Sequence, residues 1–437
     1  MRERGGGGQS GRDRDLREPL APVEVALARD ETVDRTSEHN RSGVLDAVRA
    51  MAALMVLIAH ASFIANNGYP GSVGLALRQM LGAGVLIFFS LSGYLIAGPF
   101  LRALVDGRPL PRISSYFVRR AARIYPAYWV AFAAVLLLLW PAGGVRAYQF
   151  PVHLLLLQSS WPVNGEPTSI FFVAWTLGVE AAFYAFVPLA ALVLRAAHRG
   201  PWRPGRLAAV VLTGAAASAA WSYVAATQLG GDRSHLVLLA EIGLQVWLYA
   251  FCPGMIIALA ATAGAQGAAW RRLRRLLAMP GLALPAAAAL WGAAYAMERS
   301  SSVFVVNNYQ VVFVLGSGLF LGTVVAAGPW VRPIARVLAP IGLISYGIYL
   351  WHDIVVQLIW HHSRVGFTGG PAAWLGDCLL VAAITLPIAA LSWFALERPV
   401  MRRAAAWARR RGAVAAVGAT ASGGAPEPSS PVNVGSA

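Results

Sequence analysis

With 437 residues, 57% of them hydrophobic, a mean hydropathy of +0.57 and only 13% charged, the chain is too apolar to be a soluble domain of its size. The formal charge is +16, and because no Lys occurs, all 36 basic residues are Arg. These arginines alternate with apolar segments instead of gathering on one polar face, so the charge calls for no nucleic-acid partner.

Residues 1–43, Gly-rich and then mixed in Arg, Asp and Glu, read as a disordered cytoplasmic tail. No short apolar region followed by a small-residue cleavage pattern is present, so the first apolar segment is expected to stay in the mature protein. From there, apolar windows of about 20 residues predict an all-α polytopic membrane domain over 44–403. About ten transmembrane helices are expected, at roughly 44–64, 79–100, 124–140, 170–194, 207–227, 244–264, 281–297, 308–327, 339–360 and 373–396. Pro253 and Gly254 interrupt the sixth window, which predicts a broken helix facing protein or a cavity.

Arg102, Arg108, Arg112, Arg119, Arg120 and Arg123 follow the second window. Arg195, Arg199, Arg203 and Arg206 follow the fourth, Arg271, Arg272, Arg274 and Arg275 the sixth, and Arg332 and Arg336 the eighth. The intervening loops are poorer, with Arg78, Arg146, Arg233, Arg299 and Arg364. The positive-inside rule therefore puts both termini in the cytoplasm, with odd-numbered helices running outward. Residues 404–437 read as a basic stretch, Arg409 to Arg411 acting as a topology anchor, and then a disordered cytoplasmic tail. The all-Arg, Ala-rich and Gly-rich composition fits a high-GC bacterial genome, so the membrane is expected to be a bacterial cytoplasmic membrane. No fused extramembrane domain is expected after the tenth helix.

Ionisable side chains inside apolar segments stand out, because a charge at the bilayer centre costs roughly 2.5–3.5 kcal/mol on insertion scales. His60 closes the first apolar run, Glu180 lies in the fourth window, and His352 and Asp353 lie in the ninth. Each can be a bridge between helices or a member of an interior site, and their number points to one shared site. Asp46 and Arg49, three residues apart, read as an ion pair at the start of the first helix, and Arg120 and Arg123 share a helix face in the same way. Ser90, Ser92 and Gly93 read as small packing residues, and Tyr125, Pro126 and Tyr128 as an interfacial turn with aromatic anchors. Cys252 and Cys378 read as packing residues, and without metal-ligand spacing no metal is expected. A Walker loop, a GxGxxG turn and an HExxH helix are all missing, which removes the usual signs of nucleotide hydrolysis, dinucleotide redox chemistry and zinc proteolysis.

Six strings occur in order: LDAVRAMAALMVLIAH at 45–60, GVLIFFSLSGYLI at 84–96, RRAARIYPAYW at 119–129, WTLGVEAAFYAFVPL at 175–189, SYGIYLWH at 345–352 and ERP at 397–399. Together they resemble the acyltransferase-3 family of integral membrane acyltransferases. The resemblance implies an enzyme that moves an acyl group, commonly acetyl from acyl-CoA, to a hydroxyl of a glycan, a lipid-linked sugar or a secondary metabolite. Under it His60 is the general base, since an imidazole can both accept and return a proton near neutral pH. Glu180 becomes the leading partner to fix the imidazole tautomer, with Asp353 as an alternative, and His352 would orient acceptor or thioester. Arg120 and Arg123 would hold the coenzyme A phosphates with paired guanidinium forks, and Asp46 and Arg49 gain a possible role at the donor site beside their ion pair.

Three departures from the family pattern bear on these roles. Asp46-Ala47-Val48-Arg49-Ala50 keeps the charged pair and loses two glycines; Ala181 replaces a second acid after Glu180; and Asp353-Ile354 replaces Trp-Pro. About 16 residues separate the start of the first helix from His60, roughly 24 Å, which places the imidazole towards the outer leaflet and requires the donor's arm to thread a cavity. The runner-up function is a transporter or flippase using His60, Glu180 and His352 as a proton relay.

Overall fold

The computed structural model describes residues 43–62, 81–139, 147, 149–159, 171, 173–229, 243–262, 264–326, 328–362 and 371–422. Of the expected tails at 1–43 and 404–437, residues 1–42 and 423–437 lie outside the described residues, as do Arg146, Arg233 and Arg364. Among the described residues helix is the only regular secondary structure, as expected for an all-α membrane protein. Lipid cannot satisfy a free backbone N–H or C=O, so each apolar window closes its hydrogen bonds internally.

The helices are α1 (Gly43–Ser62), α2 (Gly84–Val105), α3 (Ile113–Leu138), the short α4 (Gln149–Leu154), α5 (Ala174–Ala197), α6 (Pro204–Val224) and α7 (Leu244–Ala260). They continue as α8 (Ala268–Leu277), α9 (Pro280–Glu298), α10 (Val303–Ala326), α11 (Arg332–Leu343), α12 (Ser345–His362), α13 (Pro371–Ser392) and α14 (Arg398–Ser422). Nine of the ten windows each fall on one of these helices, and the window 339–360 straddles the bend between α11 and α12. Among the described residues, seven stretches of continuous helix can cross a membrane by length and composition, or up to nine if the bent pairs α8–α9 and α11–α12 each count once, and α7 is a shorter apolar helix.

Three expectations change. Helix α3 begins at Ile113, well before its apolar window, so it takes in Arg119 as well as Arg120 and Arg123, whose shared helix face the spacing predicts. Hydropathy marks where a helix enters lipid, not where it starts. For the same reason Tyr125, Pro126 and Tyr128 form part of α3 and not an interfacial turn. Tyr128 is fully buried, with its hydroxyl donating to the His153 carbonyl at 2.8 Å, and the Trp129 indole donates to the Leu154 carbonyl at 3.0 Å, so α4 is stitched to α3.

The third change is α7, which runs unbroken through Pro253. The small residues there serve contact, not a break. A Cβ on Gly254 would overlap the Ser90 carbonyl, and one on Gly93 would overlap the Phe251 carbonyl. The α2 and α7 backbones therefore touch, and the Ser90 hydroxyl donates to the Ala250 carbonyl at 3.0 Å across the crossing. Just beyond this crossing α2 widens into a π turn over Gly93–Ala97.

Helix α8 meets α9 at 86°. With Arg271, Arg272, Arg274 and Arg275 on a short amphipathic segment, it has the character of a helix lying in the membrane interface. Arg274 donates to the carbonyls of Ala260 and Ala265, at 2.9 and 2.8 Å, and so caps α7.

Contacts fix which helix ends share a level. The Trp202 N–H before α6 donates to the Leu104 carbonyl at the end of α2. Gly342, at the end of α11, sits so close to the Asp46 carbonyl that a Cβ there would overlap it. The starts of α1, α3, α6 and α12 and the ends of α2, α5 and α7 thus form one end of the bundle, the arginine end. At the opposite end Trp374 of α13 donates to the Ser62 hydroxyl of α1 at 2.8 Å.

Candidate active site

A cavity of about 760 Å3, its open mouth included, penetrates the bundle from the arginine end. Three guanidinium groups line it: Arg49 from α1, and Arg120 and Arg123 from α3. Spacing of three on α3 turns Arg120 and Arg123 the same way, whereas neighbouring Arg119 is exposed. The Arg120 guanidinium lies 5.8 Å from the centre of the Tyr116 ring and 5.5 Å from that of Tyr184, which fixes its plane. Arg49 pairs with Asp46, as its sequence spacing predicts. Asp46 itself is buried and is not part of the cavity wall.

Among the described residues, Glu180 is the single acidic one on this wall. Its Oε1 accepts the Ser92 hydroxyl at 2.7 Å and the Tyr184 hydroxyl at 2.9 Å. Since Tyr184 carries Arg120 on its ring, Glu180 braces the arginine cluster. The expected pairing of Glu180 with the His60 imidazole has a competitor, because the His60 Nδ1 lies 2.9 Å from the Val56 carbonyl. The alternative partner, Asp353, is buried and accepts from the Gln357 amide at 2.7 Å.

His60 meets another histidine. The rings of His60 and His352 stand edge to face with centroids 4.9 Å apart, and His352 is fully buried. The His352 Nδ1 lies 2.9 Å from the Ile348 carbonyl, repeating the one-turn contact of His60. A carbonyl can only accept, so in both rings Nδ1 carries a proton, and in the neutral imidazole Nε2 then holds the lone pair. The His352 Nε2 is buried with no hydrogen-bond partner among the described residues. Position on single helices explains neither neighbour; only α1 packed beside α12 brings these two rings together.

The two centres share helix faces. Eleven residues, three turns plus about 20°, separate Arg49 from His60 on α1, so both project from one face about 16 Å apart along the axis. On α12 the wall residue Ser345 and His352 are two turns apart, again on one face, with Tyr349 between them. The Tyr349 ring centroid is 5.8 Å from that of His352 and 6.1 Å from that of Phe88. The Tyr349 hydroxyl donates to the Val173 carbonyl at 3.0 Å and also contacts the Thr176 hydroxyl. Phe88, Thr176 and Tyr349 therefore form a layer between the arginine cavity and the histidine pair.

Sequence reading passed over several of these groups. Ser92, taken for packing, faces Glu180, while Ser90 and Gly93 do pack. Ser345, Tyr349 and His352 follow a spacing of four and then three, the signal of one polar helix face. Cys252 and Cys378 are buried and free. Among the described residues no cluster of His, Cys, Asp and Glu could hold a metal ion.

The family profile Acyl_transf_3, described as an acyltransferase domain, matches residues 43–394, which span both centres. The chain belongs to the acyltransferase-3 family. Its relatives include Nodulation protein 10 of Rhizobium leguminosarum bv. viciae, 26% identical over 87% of this chain and 99% of that protein. A protein named as a peptidoglycan O-acetyltransferase in Bacillus subtilis is 27% identical over 84% of this chain, yet only 56% of its own length is covered. A protein named as a membrane-bound transacylase in Komagataeibacter xylinus is 26% identical, over 87% of this chain and 89% of that protein. No solved structure matches. Family and architecture together identify a membrane acyltransferase.

Proposed function

We propose that this acyltransferase moves an acyl group, acetyl first among them, from acyl-CoA to a hydroxyl of a glycan, a lipid-linked sugar or a secondary metabolite, in a bacterial cytoplasmic membrane with both chain termini in the cytoplasm. The observation that carries this reading is the alignment of Arg49 and His60 on one face of α1, with an open cavity at the first and, at the second, a half-buried imidazole packed on the buried ring of His352. Three arginines against one carboxylate make the cavity wall a receptor for phosphate groups. The pantetheine arm then follows the α1 and α12 faces past Phe88 and Tyr349 and delivers the thioester to the histidines.

In the reacting complex the Nε2 of His60 takes the proton from the acceptor hydroxyl as its oxygen attacks the thioester carbonyl. Collapse of the tetrahedral intermediate breaks the carbon–sulfur bond, and the imidazolium returns the proton to the departing thiolate. The products are an ester and free coenzyme A. His352 packs against the His60 ring and holds its orientation. Glu180, through Ser92 and Tyr184, positions Arg120 for the donor.

Host cells expressing the wild-type chain or His60→Ala at equal membrane abundance provide the test. Mass spectrometry of envelope glycans, lipids and secreted metabolites should reveal an acyl ester that disappears in the variant. An ester made equally well by His60→Ala would refute the role of His60. If no ester depends on the gene, the proton-relay transporter takes precedence. Accessibility of His60→Cys to impermeant thiol reagents then reads the acceptor side, and labelling from the cytoplasmic face alone would exclude an outward-facing acceptor.

A further inference from the structure

A second space of about 610 Å3, its mouth included, opens among α2, α5, α6 and α7 in the arginine-end half of the bundle. Among the described residues only apolar side chains and Cys252 line it, and the Cys252 thiol is turned to the carbonyls of Leu248 and Val211, at 3.3 and 3.7 Å. Helix α6 leans on α7, and α2 packs against both α5 and α7, but α5 and α6, consecutive in the chain, barely touch. The space is therefore a groove open to the lipid side between α5 and α6, with Val210 46% exposed and Phe186 and Ala190 half-buried at its lip. Gly214 keeps it open, since a Cβ there would meet nothing across the groove nearer than a Leu248 methyl at 3.9 Å.

The groove ends on charge. Leu104, Leu194 and Leu207 line its foot, where the Trp202 N–H donates to the Leu104 carbonyl at 2.9 Å and the Trp202 indole donates to the Leu194 carbonyl at 3.3 Å. Arg203 caps the start of α6 and Arg206 stands in its first turn, both exposed, and Arg203 lies four residues before Leu207 on the stripe that continues through Val210 and Gly214. Arg195 follows Leu194 on α5 and donates to the Ala103 carbonyl at 3.4 Å, which holds its charge at the same level. The sequence has no Asp or Glu between Glu180 and Asp232, and Asp106, just past α2, stands 3.8 Å from Arg108. Positive-inside topology asks for arginines near the membrane, not for an apolar groove that ends on them. Bilayer chains are as apolar as the groove, so burial alone selects no occupant and selection falls to the headgroup. A phosphate at that depth meets two guanidinium forks. We propose that this groove is a site for an anionic phospholipid of the surrounding bilayer, with one acyl chain between α5 and α6 and the phosphate on Arg203 and Arg206. The site stands independently of the acyl-transfer reading, yet it shares a wall with the arginine cavity: Ala97, on the groove, closes the π turn whose Leu95 and Ile96 line that cavity.

Native mass spectrometry of the full-length protein in detergent, titrated with dioleoyl phosphatidylglycerol or with dioleoyl phosphatidylcholine of the same chains, tests the site. The wild type should retain one phosphatidylglycerol about tenfold or more tightly than phosphatidylcholine. Gly214→Leu fills the groove and removes a glycine from a helix interior, so it should fold and lower phosphatidylglycerol affinity about tenfold or more. Should it fail to fold, Ala190→Leu fills the groove from the facing wall. Arg203→Gln with Arg206→Gln should lower phosphatidylglycerol affinity about tenfold and leave phosphatidylcholine within about twofold. Arg272→Gln with Arg275→Gln, exposed on α8, controls for generic positive charge and should change either affinity by about twofold or less. Equal affinity of the wild type for the two lipids overturns the proposal, as does phosphatidylglycerol binding that survives both groove-filling variants or the Arg203 and Arg206 pair unchanged. A lipid-free dimer that Gly214→Leu splits into monomers would make a second copy of this chain the occupant and overturn it as well.

Discussion

Arg49 and His60 project from the same face of α1, yet the first opens on a positively charged cavity and the second packs its ring against a wholly buried imidazole. One helix thus carries two environments at two depths. Charge recognition needs guanidinium forks that meet a hydrated anion with little reorganisation, whereas proton transfer gains from a dry surrounding in which a single dipole counts for more. Where both must act on one molecule, the helix axis separates them and the shared face keeps them in line.

The largest effect should come from the dry end. His60→Ala should lower ester formation about 100- to 10,000-fold, the usual contribution of a general base, at unchanged membrane abundance. If the donor KM rose in parallel with that loss, the division between binding end and reacting end would break. Next come the paired substitutions Arg120→Ala and Arg123→Ala. Loss of two charge-assisted contacts, each about 1.5–3 kcal/mol, should raise the acetyl-CoA KM at least about 100-fold. S-acetyl pantetheine, which lacks the nucleotide phosphates, should be used equally by wild type and variant, and a difference there would assign the arginines another task.

Tyr349→Phe probes the layer between the two ends. It removes the hydroxyl that donates to the Val173 carbonyl, at a cost of about 1 kcal/mol, and should lower kcat about fivefold with a smaller change in donor KM. Smallest of all, Arg119→Ala should alter either kinetic constant by about twofold or less, because that side chain is exposed outside the cavity wall. Arg119 beside Arg120 then serves as an internal control for generic positive charge.

What the sequence made legible follows from the same contrast. Depth along a helix is written in local hydropathy, so the apolar windows, the Asp46–Arg49 pair and the shared face of Arg120 and Arg123 could all be read from spacing. Which helix lies beside which is not written locally. The His60–His352 contact joins α1 to α12, and the Glu180–Ser92 bond joins α5 to α2; both depend on packing among distant segments. Gly254 illustrates the ambiguity directly, since Pro followed by Gly signals a break locally, whereas here Gly254 lets α7 lie against the α2 backbone. The 86° turn at α8 was equally hidden, because a cluster of arginines reads as loop until its apolar face has something to lie on.

The interval from Arg49 to His60 also acts as a ruler. An α-helix has a fixed rise, so no side-chain exchange can shorten the roughly 16 Å between the two groups, and deleting one residue would swing the imidazole by about 100° out of line. Any donor gripped by its negative charge at one end and attacked at the other must carry that charge and its carbonyl about this far apart. An acyl phosphate is too short for the gauge, because its charge sits next to the carbon to be attacked. Under the proposed reading, a thioester at the tip of a long, flexible, phosphate-bearing arm would fill both marks at once, and the helix would sort donors by length before any chemistry begins.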